Sequence, residues 1–186
     1  MKRSRIPLVA LALVTARPAL AETAVPGDPH AADPVGIVAD PCPVHPAPSD
    51  AAGWHLWNLH MLTRDFGQVC RYAAANRALA GQKVSVVFMG DSITDNWINA
   101  DPQLFTGGLV DRGISGQTTA QMLVRFRQDV IALKPQAVHI MAGTNDIAGN
   151  TGAATMETVF GNIQSMAELA RAHGIRVIIA SIPPAA

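Results

Sequence analysis

Three short polar clusters in this chain each follow an apolar run: Gly90-Asp91-Ser92, the stretch RGISGQTT at 112–119, and AGTNDIAGN at 142–150. Together they hold the parts of an acyl-transfer site. A serine set directly after a strand and a turning glycine presents its hydroxyl at the start of the next helix, where backbone N–H groups face an approaching anion. Gly116 lets bare backbone approach a ligand and offer its N–H, while Thr118 or Thr119 caps the following helix. Asn145 can aim its carboxamide N–H at the same point, as a third donor to a developing oxyanion. Each such fixed donor is worth roughly 10²- to 10³-fold in rate. Taken singly, each residue has a plainer reading: Ser92 as a helix N-cap, Gly116 as a turn, Asn145 as an Asx-turn residue. The three in series favour the chemical one.

Such a site needs a scaffold that carries three loops to one edge. The runs VSVVFM (84–89), AVHIMA (137–142) and IRVIIASI (175–182) read as buried strands, and GLVDRG (108–113) as a weaker one. Helical spacing fills the gaps. One helix is expected from about Thr119 to Leu133, with Met122, Leu123, Phe126 and Val130 on a face. Another is expected from about Thr155 to His173, with Met156, Val159, Phe160, Ile163, Met166 and Leu169 on a face and Gly174 as its stop. Before the first strand, Ser49-Asp50 is a plausible N-cap, and Trp54, Trp57, Met61, Leu62, Phe66, Val69 and Tyr72 keep a helical spacing up to Gly81. This predicts one or two amphipathic helices. Strands buried on both faces and alternating with helices argue for an α/β fold with a doubly wound parallel sheet, whose ligands bind outside the carboxyl ends of the strands. All three polar clusters fall there.

The 186 residues, 49% hydrophobic and 15% charged, suit one globular domain with something added at an end. Formal charge is zero, and no basic stripe or basic–aromatic interleaving occurs, so nucleic acid is not an expected partner. Residues 1–21 read as a signal peptide: MKRSR is a basic start, IPLVALALVTA an apolar run, and Ala19-Leu20-Ala21 a small-x-small cleavage site. The apolar run is well short of the ~20 residues a spanning helix needs, so no transmembrane anchor is expected after cleavage, and an exported, periplasmic or secreted location follows. Cleavage removes Lys2, Arg3, Arg5 and Arg17 and leaves a mildly acidic chain. Residues 22–49, with prolines at 26, 29, 34, 41, 43, 46 and 48, read as a linker or surface arm, and 50–186 as the domain. In an oxidising compartment Cys42 and Cys70 can close a disulfide worth ~3 kcal/mol by loop entropy, or stand as two unrelated thiols; spacing does not decide. No second Cys pair or His cluster suggests zinc.

The three clusters, FMGDSITDNW, the glycine of RGISGQTT, and GTND, resemble the first three sequence blocks of the SGNH or GDSL hydrolases, esterases and lipases built on a flavodoxin-like sheet. The resemblance runs over about residues 54–184 and is nearest to bacterial members akin to platelet-activating factor acetylhydrolase and the carbohydrate acetylesterases. It implies a three-layer α/β/α domain with Ser92 as nucleophile. The Ser92 N–H, the Gly116 N–H and the Asn145 side chain would form the oxyanion hole. Asp91 would orient the serine turn and Asp146 its own loop. No cofactor is implied. The implied substrates are small esters: an acetylated sugar, a short-chain ester or a lysophospholipid.

The family's remaining block, an Asp-x-x-His after a fifth strand, supplies the general base and its orienting carboxylate. No Asp-x-x-His occurs in these 186 residues, and SIPPAA follows directly on the fourth strand. Of the six histidines, His30 and His45 lie in the arm, His55 and His60 in the leading helices, His139 inside a strand as an expected satisfied core residue, and His173 at a helix end. None stands at the expected sheet edge. An unactivated serine is a weak nucleophile. The expectation is therefore a C-terminally truncated piece of an ester hydrolase, with about four of five strands and little activity. Two alternatives stay open: a non-catalytic carbohydrate or anion binder in the same crevice, and a Mg²⁺ site from Asp91, Asp95 and Asp146.

Overall fold

The computed structural model describes residues 30–39, 41–45 and 48–182. The expected signal peptide (1–21) and the prolines at 183 and 184 lie outside the described residues. The chain forms two compact units, Met1–Asp33 and Pro34–Ala186. The described end of the first is a turn in which His30 Nδ1 lies 3.0 Å from Asp33 Oδ2.

In the second unit, four short strands form one sheet: β1 (Val86–Gly90), β2 (Leu109–Gly113), β3 (Ala137–Met141) and β4 (Arg176–Ile179). All neighbours are parallel, in the order β2-β1-β3-β4. This is the doubly wound α/β arrangement, with β1 flanked by β2 and β3. Register aligns the strand ends, pairing Gly90 with Gly113 on one side and with Met141 on the other. The three loops that follow are therefore neighbours, since parallel strands lie only about 4.8 Å apart.

Side-chain alternation sorts the sheet's two faces. Val87, Met89, Val138 and Ile140 point one way and are fully buried against Met122 and Phe126 of α4 (Thr119–Asp129) and Met166 and Ala170 of α6 (Met156–Ala172). Phe88 and His139 point the other way, toward α3 (Ser92–Ala100). There the Phe88 ring lies 5.6 Å from Trp97, 5.4 Å from Phe105 and 5.2 Å from His139.

The helix signals in the sequence have visible causes. Asp50 caps α1 (Ala51–Thr63), its carboxylate accepting from the Gly53 N–H at 2.8 Å. Thr118 and Gln121 form a reciprocal capping box on α4. Thr155 caps α6, and Gly174 ends it with φ +72°.

Four expectations need correction. Two helices precede β1, within the expected one or two, but they do not pack as amphipathic helices: neither α1 nor α2 (Ala73–Ala78) buries a residue, and residues 64–72 between them form turns. Turn carbonyls hold this region instead. Phe66, Gly67 and Val69 accept from the side-chain amides of Gln121, Gln117 and Gln128 at 3.0, 3.0 and 2.8 Å. In α6, Met156 and Phe160 are exposed, because only the later turns of that helix lie against the sheet. β4 is not buried on both faces: Ile178 and Ile179 are 43% and 56% exposed, on a strand that pairs only with β3 among the described residues. His139 is not a satisfied core residue, being half-buried with no partner for Nδ1.

Candidate active site

Gly90 ends β1 and Asp91 turns the chain into α3. Asp91 is the N-cap, with Oδ1 accepting from the Ile93 N–H at 3.0 Å. Ser92 is thus the first residue of the helix, half-buried, and its hydroxyl makes no hydrogen bond among the described residues. The turn is compact because helix and strand nearly touch. A Cβ on Gly90 would come within 2.0 Å of Thr94 Oγ1, and one on Gly113 within 2.1 Å of the Asp95 nitrogen. Glycine at both strand ends lets the start of α3, and Ser92 with it, settle onto β1 and β2.

The second loop is tied to that helix. Asp95, one turn beyond Ser92, accepts through Oδ2 from the Ser115 N–H at 3.0 Å and the Ser115 hydroxyl at 2.6 Å. Arg71 Nη2 reaches Asp95 Oδ1 at 3.5 Å. Gly116 follows with φ +82°, a left-handed conformation suited to glycine. Neither its N–H nor that of Ser92 has an acceptor among the described residues.

The third loop leads through Gly143 (φ +123°) into α5 (Thr144–Ile147), which carries Asn145 and Asp146. Asn145 is held at both ends of its amide. Nδ2 donates to the Gln117 carbonyl at 3.0 Å, and Oδ1 accepts from Asn150 Nδ2 at 3.1 Å. Asn150 Nδ2 also donates to the Gly116 carbonyl at 2.9 Å, joining the second and third loops. One Nδ2 hydrogen of Asn145 remains for another acceptor. Asp146 is buried and grips the start of α4, with Oδ2 accepting from the Thr119 N–H at 2.9 Å and Oδ1 from the Thr119 hydroxyl at 2.6 Å.

Ser92, Gly116 and Asn145 thus sit at the carboxyl ends of three adjacent strands, two residues past Gly90, three past Gly113 and four past Met141. Asp91, Asp95 and Asp146 are separately engaged, with the α3 turn, with Ser115 and with Thr119, so the Mg²⁺ alternative gains no support. Burial pushes the Asp91 carboxyl above its ordinary range, against the opposing pull of nearby N–H groups and the Thr144 hydroxyl. Its Oδ2 has no hydrogen-bond partner. His139 lies mid-strand beside Phe88 and Trp97, and burial holds its ring below the usual histidine range. The His173 ring donates from Nδ1 to the Leu169 carbonyl at 2.8 Å. Among the described residues no histidine bonds to Ser92. Cys42 and Cys70 are joined in a disulfide, Cα atoms 5.2 Å apart.

Beneath the strand ends lies a polar network that the sequence reading missed. Arg125 of α4, fully buried, donates from Nε to Gln117 Oε1 (2.6 Å), from Nη1 to Asp129 Oδ2 (3.0 Å) and from Nη2 to the Gly90 carbonyl (3.2 Å). Asn76 continues it, donating to Asp129 Oδ1 at 2.6 Å and accepting from Arg112 Nε at 2.9 Å. The Tyr72 hydroxyl donates to the Gly113 carbonyl, with Arg112 stacked 4.6 Å over its ring. Burial pushes the Tyr72 phenol up to about 12. The signal was there to read. Arg125 and Asp129, four apart, fall on the same helix face as Met122 and Phe126, where a charge needs a reason.

The three loops that carry Ser92, Gly116 and Asn145 lie beyond the carboxyl edge of a parallel doubly wound sheet, where such α/β folds bind their ligands. The match to known families is direct. Residues 88–186 match the GDSL-like lipase/acylhydrolase family, and the chain belongs to it. A GDSL-like lipase from Bacteroides thetaiotaomicron superposes with TM-score 0.62 and 54% identity, over 64% of this chain and 60% of that one. An uncharacterized lipoprotein, YqeF, from Bacillus subtilis is 34% identical over 47% of this chain and 38% of its own length. An acetylxylan esterase from Geobacillus stearothermophilus is 49% identical over 39 residues, 21% of this chain and 18% of its own. The chain thus spans less than two thirds of each of these relatives.

Proposed function

We propose that Ser92 is the nucleophile of a serine ester hydrolase whose oxyanion hole is the Ser92 N–H, the Gly116 N–H and the free Nδ2 hydrogen of Asn145. The observation that carries this is the pairing of an unbonded serine hydroxyl at a helix N-terminus with unbonded donors on the two neighbouring strand ends. Ser92 Oγ attacks the ester carbonyl, the three donors take up the charge on its oxygen, and the alcohol leaves as the acyl group passes to the serine. Water then releases the acid. Asp91, capping the turn, orients Ser92, and Asp146 fixes the Asn145 loop against α4.

The proton from Ser92 needs an acceptor, and the resemblance assigns that part to a histidine and aspartate of an Asp-x-x-His block. Residues 1–186 do not contain it. The reading is therefore that these residues supply the nucleophile and oxyanion half of the site. Alone they would keep only the ~10³- to 10⁴-fold over water that oxyanion stabilisation and binding give. Short acyl esters, acetylated sugars foremost, are the proposed substrates, supported by the likeness to an acetylxylan esterase. Action outside the cytoplasm accords with the likeness to a lipoprotein and with the basic-then-apolar start of the sequence.

The test compares residues 1–186 with a version extended by a family-type Asp-x-x-His segment, on p-nitrophenyl acetate. The extended protein should turn over at least a hundredfold faster, and Ser92→Ala should abolish that gain. Equal rates from both lengths would sink the division of labour. Full activity in Ser92→Ala would sink the nucleophile, and strong acetyl-sugar binding without turnover in the extended protein would make this a binder.

A further inference from the structure

A buried Arg–Asp pair is a weak device for stability, because removing two charges from water costs several kcal/mol that their attraction only roughly offsets. Arg125 and Asp129 are both fully buried in the second half of α4, where an apolar pair would fill the same space. Burial works against the Arg125 charge and the adjacent Asp129 works to keep it. What the guanidinium adds over an apolar side chain is a rigid plane of five donors. Three of them are spent here, and two of those go to the segments that carry the proposed site.

Nη2 reaches the carbonyl of Gly90, which also accepts from the Ile114 N–H at 3.0 Å, so both lone pairs are committed. That carbonyl belongs to the peptide leading into Asp91 and Ser92. Nε reaches the side chain of Gln117, the residue after Gly116, whose other end donates to the Gly67 carbonyl at 3.0 Å. The Gln117 backbone carbonyl in turn holds Asn145 Nδ2 at 3.0 Å. One side chain is thus one bond from the serine turn, one bond from the glycine loop, and one residue removed from the amide of the third donor.

We propose that Arg125 is a positioning residue for acyl transfer, its guanidinium setting the spacing between the Ser92 turn and the Gly116–Asn145 oxyanion donors by bonding Gly90 O and Gln117 Oε1 together. This rests on the reading of Ser92 as nucleophile. Lysine at 125 keeps the charge but loses the fork, so it cannot hold both acceptors in one plane. The consequence falls on the transition state, where donor placement matters, and not on ground-state binding of the ester.

The experiment measures kcat, KM and Tm for Arg125→Lys, Gln117→Met and Asp129→Asn, with Ser92→Ala as control, in the protein extended by the Asp-x-x-His segment as above, on p-nitrophenyl acetate. Arg125→Lys and Gln117→Met should each lower kcat by roughly tenfold or more with KM within about twofold, since ångström-scale misplacement of donors costs rate. Asp129→Asn disturbs the same buried pair from the end away from the strand edge. It should lower Tm by a similar amount while holding kcat within about twofold. Should Arg125→Lys fail to fold, Gln117→Met decides by the same criteria. A kcat near the parent's in the decisive variant, with Ser92→Ala inactive, overturns the positioning role alone. So does a loss in Asp129→Asn that matches the others at equal Tm. An active Ser92→Ala, or a parent protein without turnover, overturns the nucleophile itself.

Discussion

The two faces of the sheet are built from opposite materials. Toward α4 and α6, the residues of the two central strands are fully buried and apolar, and the buried charges Arg125, Asp129 and Arg112 are tied into one network. Toward α3 the layer is thin: Phe88 and His139 are half-buried under Trp97 and Phe105, Ile178 is exposed, and the titratable Asp111 and His139 sit among them. The dense face supplies stability and anchors the loops from below. The thin face carries the helix that presents Ser92, and its close fit to the strands depends on two glycines in place of packed side chains.

The sharpest way to break this contrast is a matched pair of truncations. Phe126→Ala on the dense face should cost about 3–5 kcal/mol, through lost transfer energy and the cavity left behind. Phe88→Ala on the thin face should cost roughly 1–2 kcal/mol, because its ring is already partly exposed. Denaturant melts giving equal losses would show that the two layers are energetically alike. Next in size, Gly113→Ala should destabilise by about 2–3 kcal/mol, since its Cβ would force backbone atoms of α3 away from β2. Turnover should fall further than stability explains, and a normal rate per folded molecule would mean that the fit of α3 does not set the Ser92 geometry.

The smallest effect is one of pH. Burial pushes Asp111 up to about 6, with Asp95 adding to the rise and the Gly113 N–H opposing it. Between pH 4 and 6 the unfolded chain has lost this proton while the folded one still holds it. Stability therefore drains as pH rises through that window, and nothing further is lost above it. Asp111→Asn, whose carbonyl can still accept from the Gly113 N–H, should gain on the parent across the same window and level off above about pH 6.5. Thermal melts at pH 4.5 and 7.5 check it, and a pH-independent difference would remove Asp111 from the account.

Much of this layout was open to a reader of the sequence. The strands announced themselves as short apolar runs, the caps at Asp50 and at Thr118 or Thr119 as polar residues before helical spacing, and the strand-end loops as glycine-rich polar clusters. These signals are local, so they survive reading in one dimension. What escaped was non-local. Whether Trp54 or Phe160 is covered depends on which neighbour lies opposite, and periodicity says only that a face exists. The bonds from Arg125 to Gly90 and from Gln117 to Gly67 span 35 and 50 positions. Asn150 was invisible for a related reason: a surface asparagine has many uses, and only the closeness of Gly116 to Asn145 gives it this one.

The Cys42–Cys70 bridge closes a loop that contains all of α1, the helix that buries none of its residues. A protease reaching that exposed segment would sever the chain without releasing either piece. The cut protein would run as one band on a gel without thiol and as two once reductant is added. The four-stranded sheet, which lies wholly on one side of the break, would keep its fold in the meantime.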